Sequence, residues 1–109
     1  MFKLNPAPTF TVPVPLSVPG KSEPLEVQFT FRYKNRVALA KWIDDAATRQ
    51  DGEAMAEIIE SWSGLVDDAG APVPYTRTAL EQLLANYSAV HLEIVNTYLA
   101  ELTKSKRKN

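Results

Sequence analysis

Leu25-Glu26-Val27-Gln28-Phe29-Thr30-Phe31-Arg32-Tyr33 alternates apolar and polar residues without a break. Successive side chains of a strand point to opposite faces, so the run predicts a strand with one apolar face. Its β-branched and aromatic residues suit a pleated, half-buried surface. Upstream, Phe10, Val12, Val14 and Leu16 alternate in the same way with Thr11, Pro13, Pro15 and Ser17. Proline normally argues against a strand. Pro13 and Pro15 share parity, however, so both remove donors from one edge and leave the other intact. An edge strand tolerates this, and its open side then resists stray pairing. Pro8 has the opposite parity, which sets the start of pairing after it. Val18-Pro19-Gly20-Lys21-Ser22-Glu23-Pro24 is dense in turn formers, so the two runs are predicted to pair as an antiparallel hairpin.

A lone hairpin is marginal in water, and helices must cover its apolar face. Asn35 is placed to cap a first helix carrying Leu39, Trp42, Ile43, Ala46 and Ala47 on one stripe. Asp51-Gly52 breaks the chain, and Asp51 is expected to cap a second helix with Met55, Ile58, Ile59 and Trp62 on its stripe. Ser63-Gly64 ends that helix. A connector from Leu65 to Tyr75 follows, with a turn at Asp68 to Gly70, and its apolar residues predict that it packs. Thr76 or Thr78 caps a third helix bearing Leu80, Leu83, Leu84 and Tyr87, and Glu81 stands at capping-box distance from Thr78. Asn86-Tyr87-Ser88 interrupts, and a fourth helix carries His91, Ile94, Val95, Tyr98, Leu99 and Leu102. The expected fold is α+β: an N-terminal antiparallel β-hairpin packed on a bundle of about four short α-helices. The 109 residues form one domain, with a hairpin arm over 1–33, a helical part over 34–109 and a flexible basic tail over 104–109.

Composition narrows the function. The chain has no cysteine, which excludes a disulfide scaffold, a zinc ribbon and a thiol nucleophile. No apolar run approaches the ~20 residues of a membrane span, and the first residues lack a secretory signal. Net charge is −1, so no basic field draws the protein to nucleic acid. The charges are segregated: residues 1–50 carry a net +3, residues 51–88 a net −6 and residues 89–109 a net +2. Such segregation suits self-association or a partner of complementary charge; an ordinary solvated surface accounts for it equally well.

Catalytic and metal chemistry find no constellation. His91 is the only histidine, and its helical neighbours Tyr87, Ser88, Ile94 and Val95 include no metal ligand and no orienting carboxylate. It reads as a packed or partly exposed helix residue. Asp44 and Asp45 diverge by about 100° on a helix and do not face one another. Asp67-Asp68-Ala69-Gly70 lacks the alternating ligands and terminal Glu of an EF-hand and reads as a turn. The four glycines, Gly20, Gly52, Gly64 and Gly70, form no phosphate loop and no nucleophile elbow. No cofactor, metal or catalytic residue is therefore expected, and the protein is read as a binder of other proteins. Trp42 and Trp62 lie on helical stripes and suit core packing, although aromatic residues also anchor interfaces.

From Ile58 the chain runs Ile58-Ile59-Glu60-Ser61-Trp62-Ser63-Gly64-Leu65-Val66-Asp67-Asp68-Ala69-Gly70-Ala71-Pro72-Val73-Pro74-Tyr75-Thr76, then Leu80, Leu83-Leu84 and a final amphipathic helix with a basic end. This resembles the tail assembly chaperones of siphophage-type phages and prophages: a helix ending in Trp, an acidic turn, then Gly-x-Pro-Val-Pro-Tyr/Phe-Thr into a Leu-Leu helix. The likeness covers roughly residues 24–109 and is sharpest over 58–84. It implies a chaperone that binds the tape measure protein and keeps it soluble until tail subunits polymerise around it. By the same resemblance the major tail protein is a further partner, action is in the bacterial host cytoplasm, and the mature virion lacks the protein. A homo-oligomer is open; nucleic acid and membrane are not expected partners. Many relatives also make a frameshifted longer form, and Lys104 to Asn109 is compatible with an adenine-rich codon run. The partner-binding surface is expected to be formed or bordered by Trp62, Leu65, Val66, Val73 and Tyr75. The alternatives are another phage morphogenesis protein, for tail completion or head–tail joining, or a small nucleic-acid-binding regulator.

Overall fold

A computed structural model describes residues 1–104; the basic tail beyond Lys104 lies outside the described residues. The two alternating runs form β1 (Thr9–Leu16) and β2 (Leu25–Arg32), paired antiparallel in one unbroken register from Thr9↔Arg32 to Leu16↔Leu25. The register passes through Pro13↔Gln28 and Pro15↔Glu26 without a shift. β1 is an edge of the sheet, so the two prolines leave the ladder to β2 intact. Val14, Leu16, Val27, Phe29 and Phe31 are buried on one face. On the other face Thr11 and Thr30 join hydroxyls at 2.7 Å. Tyr33, expected to extend the apolar face, falls just past the end of β2 and is exposed.

Helix α1 (Arg36–Ala46) starts where Asn35 predicts: its side-chain oxygen accepts from the Ala38 N–H at 2.8 Å. Leu39 and Trp42 face inward, and the Trp42 indole N–H donates to the Ala54 carbonyl at 3.0 Å. Helix α2 (Asp51–Ile58) departs from expectation at both ends. Gln50, not Asp51, is the cap residue, and no side chain caps it. Asp51 instead lies inside the first turn with Glu53, where carboxylates suit the helix dipole.

The larger correction is at the other end. Residues 51–62 do not form one helix: α2 stops at Ile58, and Ile59–Ser63 is a third strand, β3, antiparallel to β2. Phe31 pairs with Ile59 and Thr30 with Ser61, so Glu60 is the extra residue of a bulge. The bulge lets Ile59 and Trp62, three positions apart, both turn into the core. Without it a strand would place them on opposite faces, and three-residue spacing reads as helix. The chain switches from helix to strand beneath Arg32. Its guanidinium donates to the carbonyls of Ala56 (3.1 Å) and Glu57 (3.3 Å), in the last turn of α2, and of Ile59 (3.0 Å), the first residue of β3. It also meets Glu60 at 3.0 Å. The hydrogen bond from Lys34 has the largest effect on the Glu57 carboxyl; burial opposes it, but with a further hydrogen bond from Arg49 the carboxyl is held below the usual range.

Helices α3 (Arg77–Asn86) and α4 (Val90–Thr103) complete the fold. Of the two candidate caps Thr76 serves, its hydroxyl accepting from the Ala79 N–H at 3.0 Å. The Thr78–Glu81 box does not form, and Glu81 pairs with Arg77 at 2.7 Å. The sheet has three strands in the order β1-β2-β3; α2 and α4 contact it, α1 packs on α2 and α3 on α2 and α4, and one core joins sheet and helices. Near the β1–β2 turn, Glu93 of α4 accepts from the Ser17 backbone N–H at 3.0 Å and from its hydroxyl.

Tyr98 lies at the centre. It has no exposed surface, its ring meets Phe10, Phe31 and Trp42, and its hydroxyl donates to the Arg32 carbonyl at 2.8 Å. Burial pushes this hydroxyl above the usual tyrosine range, and the Glu57 carboxylate adds to the effect. The folded state thus holds the proton more tightly than the unfolded chain. The resulting stability is complete below the unfolded pKa of about 10 and is lost as pH rises through the higher folded value. Urea midpoints are expected to fall above about pH 10, and Tyr98→Phe should flatten that alkaline slope. An unchanged slope in the variant would contradict this assignment.

Candidate docking groove

Gly64 ends β3 with φ +93°, a backbone conformation that carries the chain off the sheet and that side chains disfavour. The next residues form a miniature hairpin. The Val73 N–H donates to the Leu65 carbonyl (2.9 Å) and the Asp67 N–H to the Ala71 carbonyl (2.9 Å), while Val66 pairs with Pro72. Its tip is a turn in which the Gly70 N–H donates to the Asp67 carbonyl at 2.9 Å. Asp at the first position and Gly at the fourth are favoured there. The Asp67 carboxylate accepts from the Ala69 and Ala71 N–H groups, each at 2.9 Å, so it is structural.

Trp62 fastens this loop to the sheet. Its indole N–H donates to the Val73 carbonyl at 2.8 Å, and its ring meets Tyr75 edge-on at 4.9 Å and Phe29 at 5.9 Å. Of the five residues expected at a partner surface, Trp62 is therefore buried beneath it. Leu65, Val73 and Tyr75 are half-buried, and Val66 is 55% exposed. Burial also pushes the Tyr75 hydroxyl above its ordinary range, opposed by weaker attractions from Arg32 and Arg77.

The loop and α3 flank an open groove of about 490 Å³, with Leu65, Val66, Val73, Ala79, Leu83 and Tyr87 on its walls, Asp67 and Asp68 on the loop side and Gln82 and Asn86 on the α3 side. A second groove of about 250 Å³ adjoins it at the end of the sheet. It shares Leu65, Val66, Leu83 and Tyr87 and adds Leu16, Leu25 and Val27. Together they make one channel, mainly apolar at the end of the sheet and of mixed polarity along α3. Leu25, Val66 and Tyr87 open to solvent along it. The charged residues lining it are Asp67, Asp68 and Glu26, all acidic. Leu25, Leu83 and Tyr87 were not foreseen as lining residues. Their signal in the sequence was position: the first residue of a strand and the last turns of a helix, where an apolar stripe outruns its cover.

Among the described residues, no group of three or more His, Cys, Asp or Glu side chains could hold a metal ion. His91 is half-buried, and the fold brings Asp51 of α2 to 3.4 Å from its Nε2, a neighbour that helical spacing could not reveal. Among the described residues no helix is long and apolar enough to cross a membrane. The exposed apolar wall of this channel, Leu25, Val66 and Tyr87, is suited to meeting apolar side chains of another polypeptide.

A family model described as phage tail assembly chaperone matches residues 1–109. Neither a curated protein nor a solved structure matches the chain.

Proposed function

This chain belongs to the phage tail assembly chaperone family, and from that premise we propose that it binds the tape measure protein and keeps it soluble during tail assembly. The observation that carries this reading is the channel beside the 65–73 loop, with its apolar wall of Leu65, Val66, Leu83 and Tyr87. A tape measure chain is long and largely helical by the family resemblance, and exposed apolar stripes on such a chain aggregate unless covered. A groove between a loop and a helix takes such a stripe side chain by side chain. One groove buries little area and binds weakly, but many copies along one long client gain by multivalency. The protein then acts by reversible burial of surface in the host cytoplasm, with no bond made or broken.

In this reading Val66, Leu65, Val73 and Tyr75 border the client, and Trp62 holds the loop that presents them. Affinity capture of the tagged chain from cells midway through tail assembly is expected to bring down the tape measure protein. Mature particles should contain none of the chain. Capture of assembled tails or of particles, without free tape measure protein, would instead fit a tail completion or joining role.

A further inference from the structure

α4 carries more apolar surface than its packing uses. Val90, Ile94 and Tyr98 are buried on one stripe. Leu92, Val95 and Leu99 form a second stripe beside it; Val95 and Leu99 are half-buried and Leu92 is 61% exposed. Across from this stripe α1 presents Ile43, 46% exposed, with the small exposed residues Ala40 and Ala47 on the same face. Between the two helices lies a cleft of about 160 Å³, walled by Ile43, Ala46, Val95 and Leu99 over a floor of Trp42 and Ala54. It shares no lining residue with the channel beside the 65–73 loop. A helix whose apolar surface outruns its own core is suited to meeting a partner. We propose that the α1–α4 cleft is a second client site that takes a helical segment of the tape measure protein, running parallel to α1; the identity of the client rests on the function proposed above.

Backbone groups decide the conformation of the occupant. Along the cleft the N–H and C=O groups of α1 and α4 are bonded within their own helices, so they offer an extended chain nothing to pair with. A segment that buries its backbone there must satisfy it internally, as a helix does, and meets the walls with side chains three and four apart. Charge decides direction. α1 ends at Ala46, and Asp51, just beyond, meets His91 in the first turn of α4 at 3.4 Å. The end of α1 therefore lies beside the start of α4, with the exposed Asp51 at that mouth of the cleft. Arg36 stands at the other end of α1, seven residues before Ile43 and on the same face, and forms no ion pair among the described residues. The cleft is thus cationic at one end and anionic at the other. A client helix fits it with acids in its first turn against Arg36 and bases in its last turn against Asp51, the distribution that its own dipole favours. The 11 residues of α1 run about 16 Å, enough to cover about three turns of client. A second copy offers no free helix, since each of its four carries residues buried in its own core. Two separate sites hold one client chain at two points, so neither contact needs to be tight.

The test replaces Ile43, Leu92 or Val66 of the full chain, one at a time, with photoreactive benzoylphenylalanine and makes each protein with the tape measure protein in the same cells. The probes at 43 and 92 are expected to join the tape measure protein at positions three or four residues apart, read by mass spectrometry. Ile43→Asp/Leu92→Asp should keep its circular dichroism and lower capture of the client about tenfold, because two carboxylates would be buried against apolar side chains. Arg36→Gln/Asp51→Asn should weaken capture about threefold at low salt and leave it unchanged at ~0.5 M salt. A probe at 66 that joins the client while those at 43 and 92 do not overturns this site and leaves the channel reading standing. Probes at 43 and 92 that join a second copy instead of the client overturn it as well, as do client positions spaced by two, the mark of an extended segment. Normal capture by a folded Ile43→Asp/Leu92→Asp has the same consequence. Failure of all three probes overturns this site together with the tape measure reading.

Discussion

Tyr98→Ala is expected to lower the free energy of unfolding by about 3–5 kcal/mol, the range for deleting a large buried ring. The side chain is fully buried, packs against three other aromatic rings and ties α4 to the end of β2 through the Arg32 carbonyl. Removing it opens a cavity where sheet, α1 and α4 converge and takes the hydroxyl donor from the Arg32 carbonyl. A domain of this size holds roughly 5–15 kcal/mol in total, so the variant loses a large share. At about 4–8 °C per kcal/mol its melting temperature should drop by tens of degrees. Tyr98→Phe keeps the ring and loses only the hydrogen bond, at about 1 kcal/mol. Equal destabilisation by the two variants would show that the hydroxyl, not the packing, carries the effect.

Leu65→Asp/Val66→Asp is expected to abolish capture of the tape measure protein. Two carboxylates on the channel wall would have to be buried against apolar client side chains, and an unpaired buried charge is costly. They would add to a rim that is already acidic. Val66 is more than half exposed, so Val66→Asp alone should leave circular dichroism and melting near those of the parent while lowering capture at least tenfold. Leu65 is half-buried and packs against the core, so the double variant should melt somewhat lower yet remain folded. Normal capture by a folded double variant would move the client surface elsewhere on the molecule.

The hairpin was legible because its signals are local: strict alternation, turn residues between the runs, and two prolines of equal parity. Asn35 likewise announced α1, and the Asp67–Gly70 turn stood out by residue type. β3 was hidden by its bulge. Glu60 takes up one position, so Ile59 and Trp62 reach the core at a spacing of three, which a regular strand cannot give and a helix does. Thr76 and Thr78 are equal as caps by residue type, and the structure uses Thr76. The channel was half legible. An apolar loop beside an amphipathic helix suggested a docking face, but the exposure of Leu25 and Tyr87 is decided by tertiary packing. Trp62, the strongest anchor candidate by residue type, is buried and fastens the loop through the Val73 carbonyl. The Asp51–His91 contact joins residues forty apart in sequence, beyond any local pattern.

The most direct test of the central claim is the amount of tape measure protein that remains in solution when it is made with and without this chain in the same cells. The account predicts that the tape measure protein sediments as aggregate alone, stays soluble with the parent chain, and aggregates again with Leu65→Asp/Val66→Asp. A tape measure protein equally soluble in the absence of the chain, or equally insoluble in its presence, would contradict it.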